Sequence, residues 1–276
     1  MMGREQRLKI RLFIYMLLAS GILFITIFGG AVAPKDPYET NFLVIDQPPS
    51  EDYWFGTDNL GRCLFSRILA GARSSVSATI IIVLITAAIG TVVGMIGGYY
   101  GGILDIVIKK ILLIIQSFPG QVMAIAVAGV LGAGIRNAAI ALISIGWIPY
   151  ARVARSMVLK MKNSSYIMAA RLCGCNSVSI IVHHVLPNIK GLLFVTIMTS
   201  LSGTMMEISS LSFLGLSAKP PAPEWGFMMN EGRKVLMTAP WQALVPGAAI
   251  LVTIIILNRL GDSIQDYMEH TQQLLK

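Results

Sequence analysis

Few side chains in this sequence could do acid–base, nucleophilic or metal chemistry, and they are scattered. Glu207 is the only acidic residue deep in the apolar stretch Gly191–Leu216, with Met198, Met205 and Met206 close by. A carboxylate in such a setting is costly and marks a functional position by default. It could act as a gate, a proton-sensitive latch or a ligand for a cationic cargo. It could also be a structural partner of a basic residue or of nearby hydroxyls. The thioethers suit a soft metal, or simply packing. His183 and His184 are adjacent, so on a helix they point apart and make a poor metal pair. Cys63, Cys173 and Cys175 are odd in number and lack a metal-type framework. Cys173-Gly-Cys175 is read as reduced thiols. Neither His-Glu-x-x-His nor Gly-x-Ser-x-Gly occurs. With charged residues this sparse, few acid–base pairs can form, which argues against an intramembrane enzyme. Gly97-Gly-Tyr-Tyr-Gly-Gly102 lacks the Lys-Ser/Thr ending of a phosphate loop, so no nucleotide site is expected in this chain.

The elements that must position these groups are set by composition. The 276 residues are 55% hydrophobic and 13% charged, about half the charge of an ordinary soluble domain. Several apolar runs reach the roughly 20 residues needed to cross a bilayer core. An all-α polytopic membrane protein follows. The net charge of +8 fits the basic cytoplasmic loops of such a protein better than a nucleic-acid surface.

Six spans are expected: Leu12 to Val32, Ser77 to Gly97, Ile103 to Leu131, Asn137 to Val153, Gly191 to Leu216 and Gln242 to Leu260. The first follows a basic start (Arg4, Arg7, Lys9, Arg11) and is longer than a signal-peptide core, so it reads as an anchor despite Ala31-Val-Ala33. In the second, Ala87, Ala88, Gly90 and Gly94 would let backbones approach. The third is interrupted at Ser117-Phe-Pro-Gly120, because Pro119 removes a helix hydrogen bond. That break is either a wall of a translocation path or a packing kink. Trp147 and Tyr150 are candidate interface residues. Leu64, Ile68 and Leu69 suggest a short helix on the membrane surface, after a turn bracketed by Gly56 and Gly61 in which Asp58 bonds nearby backbone. Outer Arg62, Arg67 and Arg73 weaken the positive-inside pattern, although six acids, Asp58 among them, offset them locally. The second outer segment carries Pro220, Pro221 and Pro223, which stiffen it toward an extended form. A short amphipathic piece around Met228 to Met237 follows, and Gly261 opens a polar tail.

The longest polar interruption, Ala151 to Lys190, holds Arg152, Arg155, Lys160, Lys162, Arg171 and Lys190 and no acid. It should face the cytoplasm. Ala169 and Ala170 favour a helix with little bulk, Gly174 can end it in a left-handed conformation, and Pro187 suits a boundary before the fifth span. Such a piece is shaped to pack into a pocket on a partner.

Met168-Ala-Ala170, three residues, Gly174, nine residues, then His184-Val-Leu-Pro187 resembles the EAA signature of ABC-importer permease subunits. Gly56-Thr-Asp58 with Gly61-Arg62 and Ser66-Arg67 narrows the resemblance to the peptide/nickel permease group. So do Ser212-Phe-Leu-Gly-Leu216 with Pro220-Pro221 and Glu224-Trp-Gly226, and Asn258 with Gly261-Asp262 and Asp266. Met168, His184 and Cys63 stand where the patterns have Glu, Ile and Asp.

The resemblance implies a type I ABC-importer-like fold in a bacterial or archaeal plasma membrane, with both termini cytoplasmic. It implies a coupling helix that docks on an ATPase through Tyr166, Met168, Ala169, Ala170, Arg171, Gly174, Leu186 and Pro187. It also implies a second permease chain, two ATP-binding subunits that hold ATP and magnesium, and a solute-binding protein. This chain then needs no cofactor and catalyses nothing. The expected organisation is 1–33 for N-terminus and first span, 34–76 outside, 77–262 for the permease core and 263–276 for the tail. Within the core lie the coupling loop 155–190 and the outer segment 217–241. Glu207, Met205, Met206 and Pro119 are the candidate path residues. The cargo is short peptides or nickel, free or chelated, and Glu207 beside the methionines tilts the reading toward metal. An ion-gradient-driven transporter or channel is the rival reading.

Overall fold

The computed structural model describes residues 4–274. Among them the only β pairing is an isolated antiparallel bridge between Thr57 and Cys63. The helices are α1 (Arg4–Phe28), α2 (Leu64–Tyr100), α3 (Gly102–Gln116), α4 (Gly120–Leu131), α5 (Ile135–Gly146) and α6 (Ile148–Met161). After them come α7 (Ser165–Leu172), α8 (Ser177–Ser179), a π-helical turn at Ile180–Val185, α9 (Leu186–Phe213), α10 (Trp225–Arg233) and α11 (Trp241–Leu274).

Among the described residues, five helical stretches are long and apolar enough to cross a membrane: Glu5–Phe28, Leu64–Tyr100, Ile135–Met161, Ser177–Phe213 and Trp241–His270. The pair α3 and α4, bent by 85°, makes a sixth when counted as one. The bend falls where Pro119 cannot donate a backbone hydrogen bond. Exposed apolar side chains such as Phe13, Leu17, Leu84 and Leu113 are what a bilayer, rather than water, would solvate.

Helix lengths depart from the expectations. The residues Leu64 to Leu69 are the first turns of α2, not a separate surface helix. At 37 residues, α2 runs about 55 Å, well beyond a hydrocarbon core of about 30 Å. Gly97 to Tyr100 stay helical as well. The turn waits for Gly101 (φ +69°) and Gly102 (φ +56°), the first positions of this glycine-rich run to adopt positive φ. The fourth span runs on through α6, so Arg152, Arg155 and Lys160 sit on helix rather than in a loop. Gly261 does not open a tail, because α11 continues through it to Leu274. Tyr150 is fully buried rather than interfacial.

The chain forms two compact units. The first comprises Met1–Ile82, Ala124–Leu142 and Met198–Lys276, the second Val83–Met123 and Ile143–Ile197. In the second unit Gly90, Gly94 and Gly98 recur every four residues, on one face of α2. A Cβ on Gly90 would strike the Trp147 carbonyl, one on Gly94 the Ala151 carbonyl, and one on Gly98 would lie 3.0 Å from the Arg155 carbonyl. Glycine at these positions lets α2 and α6 meet backbone to backbone. Gly94→Leu is therefore expected to abolish recovery of monodisperse protein from detergent extracts. Ala88→Leu, at an exposed site on the same helix, should leave recovery unchanged; equal yields from both variants would refute the close contact.

Candidate functional site

The polar connection between Met161 and Leu186 folds as a helical knob. One face of α7 is anchored: Ile167 and Ala170 are buried in a core with Met95, Tyr99, Val158 and Ile180. The opposite face carries Met168 (50% exposed), Ala169 and Leu172 (89% exposed). Tyr166 flanks it on one side. On the other, the Arg171 guanidinium lies 5.2 Å from the centre of the Tyr99 ring. At eight residues, α7 spans about 12 Å and cannot cross a bilayer. Its outward apolar face therefore has no lipid core to enter by spanning and stands open to contact.

The end of α7 is fixed by Gly174, which sits at φ +81° with open space where a Cβ would be. The Gly174 N–H donates to the Arg171 carbonyl at 3.0 Å, and the Cys175 N–H reaches back to the Ala170 carbonyl at 3.1 Å. This is a Schellman closure, and it needs a left-handed residue at that one position. The expectation for Gly174 is met on geometry. Pro187 differs: it lies inside the continuous stretch Ser177–Phe213. It lacks an N–H for the His183 carbonyl, and the turn before it widens to π geometry, with the Leu186 N–H donating to Ile181. Leu186 packs half-buried against the same core as α7, whereas Pro187 is exposed. Beside the knob, Arg155 is held by Asp105 of α3 through both carboxylate oxygens, the Nη2 contact at 2.8 Å.

The candidate path residues are separated. Met205 is fully buried in the first unit against Leu64, Trp225, Met228 and Ile250. Its side chain packs the core and lines no open surface. Met206 is 65% exposed and Glu207 is exposed beside it. Consecutive helix residues diverge by about 100°, so Met205 and Met206 face different ways and only Met206 shares the open side with Glu207. Among the described residues Glu207 has neither the basic nor the hydroxyl partner that a structural role would require. Pro119 is exposed at the α3–α4 bend.

The polar segments 34–63 and 217–240 hold a buried ionic lock that sequence reasoning saw only in part. Asp58 accepts from the backbone N–H groups of Leu60 and Arg62, both at 2.9 Å, and from Arg62 Nε at 2.6 Å. Arg67 Nε lies 3.4 Å from the same carboxylate, and Arg62 Nη2 lies 3.5 Å from Glu231. Both arginines are almost wholly buried, so neither counts as a free loop charge. Asp58 was among the acids expected to offset them; Glu231 was not. The available signal was that the second polar segment contains only two acids for its own cations. Burial raises the Glu231 pKa, and Arg62 and Arg67 pull it back.

Glu224 caps α10. Its carboxylate accepts from the N–H groups of Gly226 (3.1 Å) and Phe227 (2.8 Å) and from the Ser75 hydroxyl (3.0 Å). The Trp225 indole donates to the Ile68 carbonyl at 2.9 Å. A Cβ on Gly226 would press on the Ser209 carbonyl at 2.6 Å. The stretch Glu224-Trp-Gly226 thus clamps α10 to α2 and α9. Burial raises the Glu224 pKa above the ordinary carboxylate value, against the pull of its hydrogen bonds. In the window above the unfolded pKa the folded chain holds more protons, so stability falls as pH rises through it. Glu224→Gln keeps an acceptor and loses the proton. Its melting temperature in detergent is expected to fall less than that of the parent as pH is raised from the carboxylate range; parallel curves would exclude Glu224 as the source.

The chain is similar to known proteins along most of its length. The chain is 35% identical over 254 residues to the dipeptide transport system permease protein DppC of Alkalihalophilus pseudofirmus, covering 92% of this chain and 84% of that protein. It is 37% identical over 267 residues to the glutathione transport system permease protein GsiD of Escherichia coli O6:K15:H31, covering 96% and 87%. Its fold is similar to that of the inward-facing MetNI methionine ABC transporter, with a TM-score of 0.56 at 15% identity, covering 71% of this chain and 95% of that one. The fold is that of a type I ABC-importer permease, all-α and multi-pass. The family model for binding-protein-dependent transport system inner membrane components matches residues 90–272, and the chain belongs to that family.

Proposed function

We propose that this chain is the permease subunit of an ATP-driven importer of short peptides, working beside a second, similar permease chain. Two ATP-binding subunits hold ATP and magnesium, and an external solute-binding protein delivers cargo. Both termini face the cytoplasm of a bacterial or archaeal cell. The chain catalyses no covalent step itself. The observation that carries this reading is the α7 knob, anchored through Ile167 and Ala170 and presenting Met168, Ala169 and Leu172 outward. That face docks on an ATP-binding subunit, with Tyr166 and Arg171 at its edges. Gly174, Leu186 and Pro187 set its shape, and closure of the ATPases displaces it.

Peptide is favoured over nickel on two grounds. The relatives named above are dipeptide and glutathione permeases. The metal reading draws on Glu207 beside the methionines, and of these Met205 is turned into the core. Met206 and Glu207 line the path from α9, and Pro119 forms a path wall at its own bend. The test is reconstitution of the purified assembly in vesicles with its binding protein. Peptide-stimulated ATP hydrolysis and uptake that needs internal or external ATP on the knob side support the reading. Uptake that follows an imposed proton or sodium gradient without ATP would replace it with secondary transport.

A further inference from the structure

The open face of α9 in the first unit is not built like a lipid-facing surface. Thr199, Gly203, Met206 and Glu207 are exposed and Ser210 half-buried. At 100° per residue these five positions fall within an arc of roughly 100°. The opposite side, including Leu201, Met205 and Ile208, is buried. A face turned to hydrocarbon would be apolar along its length, whereas this one alternates hydroxyl, glycine, thioether and carboxylate. Ionisable groups within spans face a bundle interior or a water-filled cavity. Glu207 lies six residues before the end of α9, about 9 Å along the axis, so an ionised carboxylate there needs a counter-charge.

None comes from the chain itself: no described residue pairs with Glu207. The neighbouring donors do not replace it, since the Ser210 hydroxyl donates to the Met206 carbonyl at 2.8 Å. That leaves the Ser210 oxygen lone pairs available, one turn from the carboxylate and on the same side. One carboxylate and one hydroxyl oxygen offer a single negative charge and two acceptor groups. A divalent metal needs several oxygen ligands, and this face has one carboxylate. A protonated amine needs one charge and a few acceptors, which matches.

Resting on the reading of α9 as path-lining, we propose that Glu207 with Ser210 forms a cation-selective subsite that takes the ammonium group of the passing cargo. The subsite favours substrates with a free amino end over anionic ones. It also raises the local concentration of organic cations near Met206.

Methanethiosulfonate reagents test this in membranes holding the assembled transporter, with Cys173 and Cys175 changed to Ser and Met206→Cys as the reporter. The probes are the trimethylammonium-ethyl and the sulfonatoethyl reagent, each rate divided by that reagent's rate with a small thiol in solution. The expected normalised preference for the cation is about tenfold, the scale of one partly screened charge at close range. It should collapse toward one when Glu207→Gln is added. Thr199→Cys serves as a second reporter on the same face should Met206→Cys fail to assemble. Equal normalised rates in the presence of Glu207 would overturn the subsite while leaving the face open to water. No reaction with either reagent at either reporter would overturn the subsite and the path-lining reading of α9 together.

Discussion

Ala169→Trp is expected to reduce ATP-driven uptake to background while the chain still reaches the membrane in normal amount. Ala169 lies on the outward face of α7, beside Leu172 and away from Ile167 and Ala170. Because Ala169 is exposed in its own chain, folding should tolerate an indole there. It does stand between the knob and any pocket shaped for a methyl group. Small-residue surfaces reject added bulk because packed interfaces have few voids to receive it. The matched control is Ala170→Trp, one residue on and 8% exposed, where the bulk enters the core and protein yield should fall instead. ATP hydrolysis and uptake measured on the same vesicles separate lost docking from lost chain. Coupled transport at the parental rate with Trp at 169 would remove α7 from the docking surface.

The second large effect concerns Asp58. Asp58→Ala leaves Arg62 and Arg67, both nearly inaccessible to solvent, with Glu231 alone, 3.5 Å from Arg62. Removing one partner from a buried ionic set typically costs about 3–5 kcal/mol, because the remaining charge can neither pair nor hydrate. Asp58→Asn is the milder variant. It can still accept from the Leu60 and Arg62 N–H groups that shape the turn, so it isolates the charge. Thermal unfolding in detergent should place the parent highest, the Asn variant lower and the Ala variant lowest. A melting temperature unchanged in both would mean that water reaches the two guanidinium groups.

What the sequence revealed follows from how local each signal is. Spans were legible because apolar length is a property of consecutive residues. The α3–α4 break was legible because Pro119 acts on its own backbone, and the end of α7 because Gly174 sits next to the helix it closes. The true start of α2 was hidden: Ser66 and Arg67 look like groups facing water until their partners are known. Arg67 lies against Asp58, donates to the Pro37 carbonyl at 3.0 Å and approaches Pro221, 154 positions away. No local pattern encodes such a pairing. The same holds for Glu224 and Ser75, which meet across 149 positions. The split between Met205 and Met206 was available from helical phase alone, and grouping them by proximity in sequence obscured it. Gly261, with the polar residues after it, reads locally as the start of a tail, but it lies against Met198, with 3.5 Å from its would-be Cβ to that side chain. There it serves contact rather than termination.

The α2–α6 seam has a mechanical corollary. Side chains between two helices behave as springs, since rotamers can shift and absorb a displacement. At Gly90 and Gly94 nothing of that kind is interposed, and carbonyl meets α-carbon. A nudge delivered to α6, which ends at Met161 just before the knob begins at Ser165, is passed to its neighbour as by a stiff beam along the turn from Gly90 to Gly94.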